Sequence, residues 1–326
     1  METRRIEMLL EAVQPVAHAE QTFGNTSVAM RRKIRLPDGD FVRVPIITAD
    51  TMRHGMREAS SYALLDAAGL LDGRALSEPA LRLLFSGGMI TGASGGSVKL
   101  GDFRELVDLV PPLALFGGCA QNRAIPGRLQ VSDALLVCEE TRHLVPDWIA
   151  EEAGELASHR DHVEEVQRVR MDPSLDPSKR LLMRPQDQED AEQRLLLSEN
   201  ASATGDKKAA DQHKSSMMPR RHESVVSGSL FSWRVTATTY TELDDDTLMV
   251  ALGAFLSHAV VGGKRGTGHG RIRCIAARGI ELSRPSERTV IDSAAALSTG
   301  KVGELFRAHV RERSEQIAAF LDKVTA

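Results

Sequence analysis

Residues 262 to 270, Gly-Gly-Lys-Arg-Gly-Thr-Gly-His-Gly, bring glycine, cationic, hydroxyl and imidazole chemistry into one short stretch. Two kinds of nucleotide-binding loop share this composition, and both fail on order and context. A Walker A loop needs its lysine directly before serine or threonine at the start of a helix, whereas Lys264 precedes Arg265 and the stretch leaves a predicted helix for a predicted strand. A dinucleotide fingerprint needs Gly-x-Gly-x-x-Gly after a strand, and Gly266-Thr267-Gly268-His269-Gly270 has neither the spacing nor the setting. What remains is a loop whose glycines allow close backbone approach and expose amide N–H groups, with Lys264 and Arg265 supplying charge. That chemistry suits a sugar-phosphate chain, with His269 hydrogen-bonding or stacking beside it. The competing reading is a connecting turn with solvated cations.

A second cationic stretch runs from 44 to 57, Val-Pro-Ile-Ile-Thr-Ala-Asp-Thr-Met-Arg-His-Gly-Met-Arg. Arg53 and Arg57 stand one helical turn apart, where like charges repel by a few tenths of a kcal/mol unless an anion lies between them. Thr48 and Thr51 at the helix start add hydroxyl donors, unpaired N–H groups and the positive end of the dipole, with His54 close by. A phosphate is one relief of the repulsion; pairing with Asp50 or Glu58 is the other. Elsewhere the spacing supports no catalytic centre and no metal site. His159 and His162 are three apart without a third ligand, Asp38 and Asp40 sit in a turn, Asp133 adjoins a strand, and no Cys-x-x-Cys or His-x-x-x-His occurs. No cofactor is expected.

The elements that must position these residues follow from local pattern. The opening, residues 4 to 19, reads as a strand and 21 to 27 as a loop. Residues 31 to 36 and 41 to 47 flank Pro37-Asp38-Gly39-Asp40, which predicts a β-hairpin. A helix capped by Thr48, Asp50 or Thr51 follows, its stripe Met52, Met56, Ala59 and Ala63 buried and its end at Gly69. Ser77-Glu78-Pro79 opens another helix that Gly87-Gly88 stops. Residues 91 to 101 are glycine-rich and read as flexible; Asp102 caps a short helix ending before Pro111-Pro112; residues 128 to 137 form a strand. An acidic amphipathic helix is expected over 148 to 169, then a polar, mobile arm from 172 to 223, poor in β-branched and aromatic residues. Residues 230 to 240 form a long strand, Asp246-Thr247 caps an apolar helix to Val261, a strand opens at Arg271, and 301 to 324 is one charged helix. The class is α+β.

The chain has 326 residues, 42% of them hydrophobic and 26% charged, enough for one large domain with an insertion or for two modest ones. Three cysteines, Cys119, Cys138 and Cys274, indicate neither a disulfide framework nor a zinc knuckle and fit a reducing cytoplasm. The first residues are polar and no stretch reaches the roughly 20 apolar residues that span a bilayer, so no membrane association is expected. A formal charge of -4 argues against a polyanion partner until its distribution is seen. Cations gather in 31 to 57 and 262 to 273, acids in 147 to 165 and 242 to 246, which allows one face to hold nucleic acid while another meets a partner.

Taken in order, these segments resemble a family, the repeat-associated mysterious proteins. Residues 44 to 57 look like its Pro-bearing strand leading into an arginine-carrying helix. Leu115-Phe116-Gly117-Gly118 followed by Arg128-Leu129-Gln130-Val131-Ser132-Asp133-Ala134 looks like its Phe-Gly and strand-Ser-Asp-Ala element, and the helix, glycine loop and strand from 261 to 272 complete the set. Within the family the chain is most similar to the backbone subunits that coat guide RNA in class 1 CRISPR effectors, the type IV variety above all. The resemblance spans residues 4 to 136 and 229 to 278. It implies a ferredoxin-like, RRM-like palm (1–145 and 229–300) with inserted finger and thumb elements, a thumb-like insertion at 146–228 and a C-terminal helix at 301–326. It implies RNA contacts at Asn25, Thr48, Thr51, Arg53, His54, Arg57, Lys264, Arg265 and His269. The implied partners are guide RNA (crRNA), target nucleic acid paired to it, further copies in a filament, and other CRISPR effector subunits. Some relatives cut RNA with a loop aspartate; no aspartate here matches it, so a non-catalytic subunit is expected. The alternatives are an endoribonuclease of the same superfamily using His269 or His54, and a purely structural protein.

Overall fold

The computed structural model describes residues 1–71, 76–88, 100–120, 123–168, 176–203, 220–282, 288–291 and 303–325. In chain order the strands are β1 Glu2–Ala12, β2 Ala19–Phe23, β3 Thr26–Ala29, β4 Arg31–Arg35, β5 Phe41–Ile47, β6 Gly118–Ala120, β7 Arg123–Ile125, β8 Leu129–Val131, β9 Ala134–Leu136, β10 Val163–Arg168, β11 Arg220–Val225, β12 Leu230–Thr239, β13 Ile272–Glu281 and β14 Arg288–Ile291. The helices are α1 Ala49–Ala67, α2 Glu78–Ser86, α3 Leu100–Leu109, α4 Pro111–Phe116, α5 Asp147–Ala153, α6 Pro177–Arg180, α7 Pro185–Ala203, α8 Glu242–Ser257, α9 Glu304–Glu312 and α10 Ser314–Thr325.

Two compact units divide the chain. The first holds Met1–His18, Met30–Val163 and Ser224–Ala326. Its sheet runs β14-β13-β1-β12-β9-β5-β4, with β8 also on β12. β1 is central because both of its faces are apolar: Ile6, Met8 and Leu10 enter one core, Leu9 another. It pairs antiparallel with β12 from Glu2↔Thr239 to Glu11↔Leu230, and with β13 from Arg4↔Glu281 to Ala12↔Ile272. The strands β13-β1-β12-β9, linked through α1 and α8, follow the order 4-1-3-2 of a βαββαβ unit. The α+β class is as the sequence predicts.

α1 and α8 close the main core, where Met52 and Met56 meet Leu248, Leu252 and Phe255 beside Met8, Leu10 and Trp233. Each fully buried side chain of this kind contributes about 1.5–3 kcal/mol. The Trp233 and Phe255 rings pack edge to face at 5.8 Å. The α1–α8 crossing depends on Gly55, since a Cβ there would stand 2.5 Å from the Phe255 ring. α5 covers Leu9 and Val137 with Ile149 and Ala150. A third cluster joins the end of α1 to α2, α3, α9 and α10 through Leu64, Leu83, Leu106, Phe306 and Ile317. Among the described residues no helix is long and apolar enough to cross a membrane.

The second unit is Ala19–Ala29 with Glu164–Glu223. Its sheet runs β10-β11-β3-β2, with β11 parallel to β3 through Arg221↔Thr26 and His222↔Ser27. This differs from the predicted mobile arm over 172 to 223: α6, α7 and β11 lie there, and the strand partner is the segment 21 to 27, which local composition assigns to a loop. That segment is a hairpin turning at Gly24 (φ 56°) and Asn25. Residues 172–175 and 204–219 of the expected arm fall outside the described residues, as does the glycine-rich stretch up to 99.

Several boundaries move for identifiable reasons. The helix expected over 148 to 169 is α5 alone, ended at Gly154 with φ 72°, and Val163-Glu164-Glu165-Val166-Gln167-Arg168 form β10. The strand expected over 128 to 137 is two, because Ser132 Oγ donates to the Asp133 carbonyl and accepts from Arg234 N–H, turning Asp133 out of the ladder. α8 starts at Glu242, since Thr241 and Asp244 form a capping box. Asp246 instead accepts from the N–H groups of Gly303 and Phe306 at the start of α9. α3 begins at Leu100 rather than under an Asp102 cap, Pro111-Pro112 open α4, and the tail breaks at Arg313 into two helices.

Candidate nucleic-acid interface

The glycine stretch is a folded loop tied to the segment that follows β1. At its base Val260 bridges Arg271, and Val261 N–H donates to the Gly270 carbonyl at 2.8 Å. Gly263 N–H donates to the Ala17 carbonyl at 2.7 Å and Gly270 N–H to Pro15 at 2.8 Å. Two of the glycines are required. A Cβ on Gly262 (φ 76°) would lie 2.7 Å from the Ala17 oxygen, and one on Gly270 (φ 93°) 2.1 Å from the Val261 oxygen. Lys264 then adopts φ 58°, ψ 25°, opening a 3-10 turn over Arg265–Thr267. It is the one non-glycine residue with positive φ among the described residues. Lys264 and Arg265 are exposed, and Arg265 Nε donates to the Gly262 carbonyl at 3.2 Å. His269, expected beside the ligand, is buried at 4% exposure with Nδ1 3.1 Å from the Thr267 carbonyl, so it braces the loop from within.

The start of α1 lies beside this loop because His18 follows Ala17. His18 Nε2 stands 3.2 Å from Thr48 Oγ1 and accepts the Thr48 N–H at 3.3 Å. An accepting Nε2 belongs to neutral imidazole, consistent with burial holding the His18 pKa below its ordinary value against the pull of Asp133. Thr48 is the cap, its Oγ1 receiving Thr51 N–H at 3.4 Å and lying 3.0 Å from Thr51 Oγ1. The anion expected here is already part of the chain. Asp133 Oδ1 accepts Ala49 N–H at 2.8 Å, and Oδ2 accepts Arg32 Nε at 2.9 Å and Nη2 at 2.7 Å.

Arg53 is half-buried and Arg57 buried, and backbone carbonyls accept from both guanidiniums. Arg53 donates to the carbonyls of Leu129 at 2.6 Å and Phe116 at 2.7 Å. Arg57, 9% exposed, donates to Phe116 at 3.0 Å and Gly117 at 2.9 Å. Both guanidiniums lie over the Phe116 ring, at 5.7 and 5.3 Å. The repulsion between them is relieved by carbonyls at the C-terminal end of α4, the negative end of a helix, rather than by a phosphate, Asp50 or Glu58. Burial, and then Arg53 itself, lower the Arg57 pKa to about 10. The Phe-Gly element thus has a structural role: Gly117 (φ 65°) turns the chain so that two carbonyls face the arginines.

Of the remaining residues, His54 is exposed on α1. Asn25 belongs to the second unit, in the β2–β3 turn, where its carbonyl accepts Arg221 N–H at 2.9 Å. The first unit therefore gathers Thr48, Thr51, Lys264 and Arg265, with His18 added. Thr51 and Arg265 line one open cavity of about 480 Å³ between α1 and α8, together with Gly55, Tyr62, Phe255 and His258. Cations, hydroxyls and an aromatic-sided cleft are donors and surfaces that fit phosphate oxygens and a base. His18 and the capping role of Asp133 escape sequence reasoning; the one signal for the latter is an aspartate between two short apolar runs, a poor place for it in a continuous strand.

No known family profile matches the chain, and no curated protein matches it. Its fold is similar to that of a chain in the solved Type IV-B CRISPR Complex, with a TM-score of 0.54 at 18% identity, covering 88% of this chain and 93% of that one. At that identity the likeness is one of fold.

Proposed function

We propose that the chain is a non-catalytic, multi-copy subunit of a CRISPR effector complex, acting in the cytoplasm, that holds a guide RNA by its backbone and leaves the bases to pair with a target. The likeness to a Type IV-B CRISPR Complex chain supports the setting. The observation that carries the RNA contact is Lys264. A left-handed backbone costs an L-residue about 1 kcal/mol, and a glycine stands directly before it, yet the position at the head of the turn holds a lysine. Strain kept where glycine is at hand marks a residue retained for its charge. Lys264 and Arg265 then grip phosphates while Thr48 and Thr51 at the neighbouring helix start offer hydroxyls to the chain.

Single-stranded RNA binding followed by anisotropy over a salt series tests this. Lys264→Ala with Arg265→Ala should weaken binding and lower the slope of log K against log salt by about 1.4, two phosphate contacts at about 0.7 each. The RNA should be recovered uncut. An unchanged slope, or cleavage that disappears when a histidine is replaced, overturns the proposal.

A further inference from the structure

α1 carries a carboxylate, an aromatic ring and a second carboxylate at Glu58, Tyr62 and Asp66, spaced i, i+4 and i+8, so the three share one face of the helix. All three line the cavity of about 480 Å³ between α1 and α8 that Thr51 and Arg265 also border. The space is there because the positions around it are small, Gly55, Ala59 and Ala63 on α1 and Ala254 on α8. Phe255, 5% exposed, closes one side of it against Gly55. The Tyr62 ring is 51% exposed and is held edge-on by Phe85 at 5.0 Å, which fixes its plane and leaves a face bare. Glu58 is half-buried, yet among the described residues its carboxylate accepts no hydrogen bond and meets no cation within 4.0 Å, Arg265 of the same cavity included. A half-buried acceptor left unmet beside an open aromatic face is matched by a ligand that is flat and brings its own donors.

We propose that this cavity binds a guanine base, with Tyr62 stacked on its face and the Glu58 carboxylate accepting its N1–H and an N2–H. A carboxylate can only accept, so it favours the base whose edge offers the most adjacent donors. Guanine presents two on its Watson–Crick edge. Adenine and cytosine present one amino group each, and uracil presents one N–H between two carbonyls that a carboxylate repels. A base paired to a target has this edge occupied, so the guanine must be an unpaired one. Asp66 stands two turns further along α1, about 12 Å by helix rise, and so does not share the edge that Glu58 reads. Arg265 belongs both to the cavity and to the glycine loop, with Nε held by the Gly262 carbonyl and its terminal nitrogens left for a phosphate. A nucleotide gripped there has its base at the mouth of the cavity. The inference rests on the RNA contact proposed at Lys264 and Arg265 and adds base selectivity to it; the guanine arrives within an RNA strand or as a free guanosine nucleotide.

The test uses the full chain with a short labelled oligo(U), the same strand carrying one central guanine, adenine or cytosine, and guanosine monophosphate alone. The guanine strand should bind about tenfold more tightly than oligo(U), with the adenine and cytosine strands between them. Glu58→Gln should bring the guanine strand down to the level of oligo(U) and leave oligo(U) binding as it was. Tyr62→Ala should weaken the guanine strand by about tenfold and Tyr62→Phe should not, since only the ring is needed for stacking. Unchanged unfolding midpoints for Glu58→Gln and Tyr62→Phe certify the fold. Binding of guanosine monophosphate that depends on Glu58, with no strand bound, would keep the pocket as a free-nucleotide site and remove the RNA reading instead. Strands bound without regard to base, or a guanine preference that survives Glu58→Gln, overturn the proposal and leave the phosphate contact standing.

Discussion

At the scale of single residues, the charges that look alike in the sequence divide by what accepts their protons. Arg57 is held by two carbonyls in a nearly dry site, so replacing it leaves buried acceptors unmet. Arg57→Met should cost about 3 kcal/mol in urea unfolding, while the folded fraction binds RNA as before. Lys264 behaves in the opposite way. Lys264→Gly relieves the left-handed strain and should raise stability by about 0.5–1 kcal/mol, yet weaken RNA binding, a split that a purely structural lysine would not give. Glu140 supplies a pH signature. Burial pushes its pKa up, but hydrogen bonds from Ser158 and from the His159 side chain and N–H outweigh this and hold it at about 2, against an ordinary 4.5. A depressed carboxylate contributes stability that is complete above about pH 4.5 and lost as pH falls toward 2. Acid titration of the unfolding midpoint should show that loss in the native chain and a flatter profile in Glu140→Gln.

Elements whose causes are local were legible in the sequence, and those fixed by a distant partner were not. The Asp38-Gly39 turn, the Thr48 and Ser77 caps and the β-branched run of β12 each lie where composition places them. The second unit's sheet is different, since β3 gains its parallel partner β11 from almost two hundred residues away. Nor does an i,i+4 rule reveal which acceptor answers a pair of arginines. It says that one is needed, and the end of α4 provides it. The candidate site shows the same division. The glycine loop, its cations and the helix start are visible in the sequence, whereas the tie through Ala17 and His18 that brings them together is not. Asp133 is the clearest case, a residue assigned to a strand that caps α1 from outside it. Asp133→Ala should lower stability by about 1–2 kcal/mol and expose the helix start. Inorganic phosphate should then raise the melting midpoint of the variant more than that of the native chain; equal shifts would contradict the capping role.

For the whole molecule, the uneven charge distribution has two explanations rather than one. The acids at 242 to 246 are largely consumed within the fold: Asp244 makes a two-point pair with Arg128 at 2.8 Å, Asp245 meets Arg4 at 2.8 Å, and Asp246 caps α9. Lys33, Arg35 and Arg43 of the β4–β5 hairpin and Lys264 and Arg265 of the glycine loop are exposed instead, in a chain of net negative charge. On the proposed reading such a subunit would gain by repetition, each copy adding a few phosphate contacts to one continuous strand. The central claim is that guide RNA organises many copies of this chain. Negative-stain electron micrographs of the purified protein at physiological salt, before and after ribonuclease treatment, test it most directly. The account predicts rods that fall apart into single subunits once the RNA is digested; monomers without RNA, or rods that ribonuclease leaves intact, would contradict it.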